Sequence, residues 1–183
     1  VGCDVERNIA YGYNGDMNDG SSPTPGPGTY GANPPAEGLV FLRGPEADAG
    51  DGIDNDRDGT TDEAGEVSLM SSFVYYNNNF TAIGNPEYAD DYYGYMNGAW
   101  KDSALITYGG NGYGGITACD FMFPGNTDPL GWGTNFVPQA AWDETTSANV
   151  PADRRALAST GPFSINPSES ECLDFAYVYG RGT

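Results

Sequence analysis

The sequence predicts a mostly β domain, a β-sandwich-like fold with long Gly-, Pro- and Asn-rich loops and one or two short helices. Three observations predict it. Apolar runs rich in aromatic and β-branched residues are short and bounded by turn residues, as at Leu39-Val40-Phe41-Leu42 and at 67–76. The 27 Gly and 13 Pro imply many turns and long irregular connections. A clear amphipathic helical period is confined to one stretch. At 183 residues the chain fits a single domain, 1–183, with an acidic insertion at about 48–66.

The elements follow in chain order. Residues 11–38 read as a long loop, because the run Ser21-Ser22-Pro23-Thr24-Pro25-Gly26-Pro27-Gly28 lacks the donors a strand ladder needs. Residues 38–42 read as a strand, and the acidic insertion follows. Residues 67–76 make the strongest strand, broken by Asn77-Asn78-Asn79. A helix is predicted at about 85–101. Tyr88, Tyr92, Tyr95, Met96, Ala99 and Trp100 share one helical face, with Asn85 as N-cap, Pro86 in the first turn and Glu87 at the positive end of the dipole. Gly94 and Gly98 weaken that helix by ~1 kcal/mol each relative to Ala. Residues 105–108 and 121–123 read as short strands. Residues 151–159 read as a second helix. Residues 162–165 and 172–179 read as a terminal hairpin around Asn166-Pro167-Ser168-Glu169.

Charge narrows the function classes. The 26 acidic and 7 basic residues give −19, which repels phosphate backbones and anionic lipid surfaces alike. Nucleic-acid binding and membrane insertion are therefore not expected, and no apolar run approaches the ~20 residues that span a bilayer. The chain begins at Val1 and is expected to be a mature or excised piece of a longer protein. It has no His, so Ser-His-Asp triads and His bases are excluded and a zinc site is not expected. Cys3, Cys119 and Cys172 allow one disulfide, with Cys119–Cys172 among the pairings, or a partner cysteine elsewhere.

The most informative stretch is Asp51-Gly52-Ile53-Asp54-Asn55-Asp56-Arg57-Asp58-Gly59-Thr60-Thr61-Asp62-Glu63. Calcium takes six to eight hard oxygens. Alternating Asp54, Asp56 and Asp58 place three carboxylates around one point once the backbone curls, and Gly59 permits the turn. Thr60 offers a carbonyl at the seventh loop position and Asp62 stands at the ninth. The twelfth position is Gly65 where an EF-hand has Glu, and no helix is expected afterwards. Asp51, Asp48, Glu63 and Glu66 are the candidates to complete the shell. Magnesium fits less well, since it keeps its waters and takes few carboxylates.

Weaker constellations are read mainly as structure. Asn14-Gly15-Asp16-Met17-Asn18-Asp19-Gly20 has the same alternation of oxygens and is read first as a turn, secondly as another calcium loop. Asn126-Thr127-Asp128 is read as a turn. Tyr75, Tyr76, Trp132 and Trp142 are the aromatics to test as a sugar platform, with core packing the leading reading. Paired carboxylates suit glycoside hydrolysis only when held ~5–10 Å apart, a distance that spacing in sequence does not give.

The acidic loop resembles the Asp-rich calcium loops of thrombospondin type 3 and dockerin-like repeats. The stretches at 6–16, 85–102, 121–134, 150–155 and 161–167, taken with that loop, resemble a region of large secreted or cell-surface Bacteroidota proteins, many of them cargo of type IX secretion. The resemblance covers most of the chain. It implies an extracellular or cell-surface setting and supplies no catalytic residues. The resulting expectation is a non-catalytic, calcium-stabilised module serving adhesion, assembly or secretion, with other surface proteins or secretion machinery as partners. The alternative is a carbohydrate-binding or carbohydrate-hydrolysing module with glycans as partners.

Overall fold

A computed structural model describes residues 1–182. The fold is mostly β. The strands are β1 (Gly2–Asp4), β2 (Ile9–Tyr13), β3 (Asn18–Asp19), β4 (Gly31–Ala32), β5 (Ala36–Arg43), β6 (Met70–Asn77), β7 (Arg154–Thr160) and β8 (Asp174–Gly180). One helix, α1 (Ala89–Met96), follows β6, and a 3-10 turn covers Trp132–Thr134. The sheets are open and antiparallel: a four-stranded sheet in the order β1-β2-β5-β8, a β6-β7 pair and a short β3-β4 pair. β1 runs against β6 and joins the two larger sheets. Among the described residues no helix is long and apolar enough to cross a membrane.

β6 is the centre of the core. Its run Phe73-Val74-Tyr75 is fully buried together with Tyr95, Trp100, Phe121, Met122, Phe123 and Trp142. Cys3, Val5 and Phe41 join them from the four-stranded sheet and its first turn. The rings meet edge-on or tilted, as π quadrupoles prefer. Tyr95 and Trp100 are T-shaped at 5.5 Å, and Phe123 sits 4.9 Å from both Tyr75 and Trp142.

A strand buried on both faces must also have its backbone satisfied on both edges. This corrects two expectations. Residues 151–159 are not a helix. Residues 154–160 are extended and pair with β6 from Asn77↔Arg154 to Met70↔Thr160. On the other edge, residues 121–123 form an isolated parallel bridge rather than a strand, Phe73 N–H donating to Asp120 O at 2.9 Å and Met122 N–H to Phe73 O at 2.9 Å. Residues 105–108 likewise make only the bridges Ala99↔Leu105 and Thr107↔Ala118. The terminal hairpin is also corrected. Residues 162–165 are not a strand, and β8 pairs with β5, with Leu39 opposite Tyr177 and Phe41 opposite Phe175.

α1 is shorter than the predicted 85–101. Asp91 accepts from Glu87 N–H at 2.8 Å and Tyr88 N–H at 3.1 Å, so the helix starts at Ala89 rather than behind an Asn85 cap. It stops because Gly98 takes φ +72, the left-handed turn that closes helices. Of the predicted apolar stripe, Tyr95 and Trp100 are buried while Tyr88, Tyr92 and Met96 face solvent. No disulfide forms among the described residues: Cys3 and Cys119 are free in the core and Cys172 is exposed, so Cys119–Cys172 is not a bridge. Burial pushes both core thiols well up.

Candidate metal centre

The acidic loop leaves the fold at a tight crossing. Gly44 is buried where β5 ends, and a Cβ there would lie 1.5 Å from Ser68 O. Only glycine allows this approach. The excursion is clamped at its base: Ala47 N–H donates to Glu66 O at 2.9 Å, and Ser68 N–H to Pro45 O at 2.9 Å. Within the clamp, residues 48–66 carry eight acidic side chains and one basic one, Arg57.

The backbone curls around Asp54. Asp58 N–H donates to Asp54 Oδ1 at 3.1 Å and Gly59 N–H to Asp54 Oδ2 at 3.0 Å, with Gly59 at φ +99. Asp58 N–H also reaches Asp56 Oδ1 at 3.1 Å, and Thr60 N–H reaches Asp58 Oδ1 at 2.8 Å. Each carboxylate thus turns the chain toward the next, as Asp does in turns. Carboxylate oxygens of Asp54, Asp56 and Asp58 lie within 4.8 Å of one another, and so do those of Asp56, Glu63 and Glu66. Asp56 belongs to both groups. Each close pair of like charges repels by ~1 kcal/mol even in a water-like dielectric.

The second group is the more enclosed. Glu66 is 5% exposed and accepts from Asn55 N–H. Glu63 Oε2 is buried without a hydrogen-bond partner. A hydrogen bond within its own residue lowers the Glu63 carboxyl, but desolvation and the charges of Asp58, Glu66 and Asp56 outweigh it and hold the group above its ordinary range. A buried, unpartnered carboxylate oxygen beside two further carboxylates has the chemistry of an oxygen ligand for a hard cation. Asp54, Asp56, Asp58, Glu63 and Glu66 are the residues that would hold it.

Asp51 and Asp62, also expected as ligands, stand outside these two groups of carboxylates and accept local hydrogen bonds, as Asp54 and Asp58 do. Asp51 accepts from Ile53 N–H at 2.8 Å and the Asn55 amide at 3.1 Å. Asp62 accepts from Gly52 N–H at 3.2 Å. Thr60 lies at the exposed tip. Asp48 is drawn away by the Ser164 hydroxyl and N–H, which hold its carboxyl below the ordinary range. In the Asn14–Gly20 stretch the oxygens satisfy local N–H groups: Asp16 accepts from Asn18 and Asp19 from Tyr30. Asp128 accepts from Trp132 and Gly133 N–H at the 3-10 turn.

Arg57 has a role that spacing did not reveal. Its guanidinium leaves the acidic loop and enters the core. It donates to Val5 O at 2.7 Å and to Met70 O, and lies 5.6 Å from the rings of both Phe121 and Trp132. Burial lowers its basicity, while Asp128 and Asp54 act the other way. Its backbone holds φ +60, which costs a non-glycine residue ~1–2 kcal/mol. The signal in sequence was a lone base among eight acids.

The aromatics singled out as a sugar platform are structural. Tyr75 and Trp142 are buried, Trp132 lies beneath Arg57, and Tyr76 packs on Tyr95 at 5.5 Å. A different cleft of about 680 Å³ is bordered by the exposed rings of Tyr13, Tyr30 and Tyr179 and by Asp16 and Glu37. No family model, curated protein or solved structure matches the chain.

Proposed function

We propose that the chain is a non-catalytic, calcium-stabilised module of a secreted or surface protein, and that the loop at 48–66 is its structural ion site. The observation that carries the ion site is the buried, unpartnered Glu63 Oε2 beside Asp56 and Glu66. A cation there supplies charge neutralisation, while the chain's own carboxylates orient the loop and its clamp. Calcium suits the set, since it accepts many carboxylates in flexible geometry and magnesium does not. The extracellular setting rests on the secreted and surface proteins the sequence resembles and on the site itself, because extracellular modules fill weak sites at millimolar calcium. Hydrogen exchange tests the role. The N–H groups of Asp58, Gly59 and Thr60, which donate to carboxylates of the loop, are expected to exchange more slowly in millimolar calcium than in chelator. Equal exchange in both would remove the site from the reading.

A second reading attaches to the tyrosine cleft. Exposed rings flanked by carboxylates offer stacking faces and hydroxyl acceptors together, which suits a neutral glycan. Glycan-array binding that disappears in Tyr30→Ala supports it, and absence of binding to every glycan removes it.

A further inference from the structure

β8 ends the four-stranded sheet, and among the described residues its ladder runs on one side only, to β5. Its other edge presents the outward N–H and C=O groups of alternate residues along a seven-residue strand. Sheet proteins usually blunt such an edge with Lys, Pro, a bulge or a covering segment. β8 reads Asp-Phe-Ala-Tyr-Val-Tyr-Gly and carries no Lys or Pro. Its side chains are uncovered as well: Phe175 is 52% exposed, Tyr177 82%, Val178 43% and Tyr179 64%.

The order of these side chains points to the occupant. Around Tyr177 the strand is symmetric in size, aromatic-small-aromatic-small-aromatic. In an antiparallel pair centred on Tyr177, Phe175 faces Tyr179 of a second copy, Ala176 faces Val178 of that copy, and the two Tyr177 rings face each other. Large meets large and small meets small on both faces, the self-complementarity a two-fold interface requires. Glu171 accepts from Glu46 N–H, so the acidic insertion lies at the Asp174 end of β8. Antiparallel pairing sets the two insertions at opposite ends of the joint, whereas parallel pairing would bring them side by side. We infer that β8 pairs edge to edge with β8 of a second copy, extending two four-stranded sheets into one eight-stranded sheet.

Sedimentation of the full chain tests this at ~0.15 M salt, where repulsion between the two −19 charges is screened beyond ~8 Å. Between ~1 and ~100 μM, a range bracketing micromolar affinity, the mass is expected to rise from 19.4 kDa to twice that. Tyr177→Lys sets two like charges opposite each other and is expected to weaken pairing at least tenfold, with an unchanged circular dichroism spectrum. The same substitution reduces net negative charge, so a general charge effect would strengthen association instead. Tyr88→Lys, on an exposed ring at the start of α1, makes the same charge change away from the edge and is expected to leave the dimer intact. A chain monomeric throughout the range overturns the inference and leaves the edge to a strand from another protein. Equal dimerisation of wild type and Tyr177→Lys, or equal loss in both variants, overturns it too.

Discussion

The acidic loop and the aromatic core meet at one side chain, Arg57, and are held together by opposite physics. Around β6, Tyr75, Tyr95, Phe123 and Trp142 lose water and pack in ring-to-ring contacts. In the loop, Asp54, Asp56, Asp58, Glu63 and Glu66 gather like charges at short range, against their mutual repulsion. The core is closed by its own side chains, whereas the loop, in the function proposed above, is completed by a cation. Stability in the two regions should therefore answer to different variables, cavity volume in one and calcium in the other.

The largest effect should come from the core. Phe73→Ala removes a fully buried ring and should cost ~3–5 kcal/mol in denaturant unfolding, equally in calcium and chelator. A calcium-dependent cost would break the comparison. Arg57→Ala strikes the junction. It orphans Val5 O and Met70 O and removes two cation–π contacts, an expected loss of ~2–4 kcal/mol in either condition. Arg57→Lys should recover only part of it, since one ammonium does not reproduce the fork.

The next effect belongs to the loop alone. Asp56→Ala removes the carboxylate shared by both groups and should abolish calcium stabilisation, worth ~2.7 kcal/mol at a hundredfold excess over Kd. In chelator it should change little. Asp58→Ala should lose less, because the Asp56, Glu63 and Glu66 group survives it.

Smaller effects sharpen the contrast through pH. The Glu63 carboxyl is raised in the folded state, so its ionised form weakens the metal-free fold as pH rises past the unfolded value. Glu63→Gln should therefore raise the Tm of the metal-free protein at neutral pH, make little difference in acid, and lower calcium affinity. Asp91 has the opposite sign. Backbone N–H groups of Glu87 and Tyr88 lower its carboxyl, so its contribution is present above the unfolded pKa and fades as pH falls. Asp91→Asn should lower Tm slightly at neutral pH, and the difference should close in acid.

What was legible in the sequence divides along the same line. The loop was legible because its chemistry is local: alternating Asp54, Asp56 and Asp58 before Gly59 turn the chain by their own hydrogen bonds. β5 and β6 were legible for their dense apolar runs. β7 was not, because Arg154-Arg155-Ala156-Leu157-Ala158 has no strand signature of its own and is extended by the need of β6 for a ladder partner. The partner of β8 was misread for a related reason, since proximity in sequence favoured a hairpin and the fold paired β8 with β5, more than 130 residues earlier. Glu66 stood among several candidate acids, and only the fold closed it beneath Asn55.

The most direct test is thermal unfolding of the full chain in excess calcium and in chelator, with Asp56→Ala alongside. At a hundredfold excess over Kd, calcium should raise Tm by about 5–11 °C in the wild type and leave Asp56→Ala where chelator puts it. An equal Tm for the wild type in both conditions would contradict the account, leaving the acidic loop a solvated excursion held by its own hydrogen bonds.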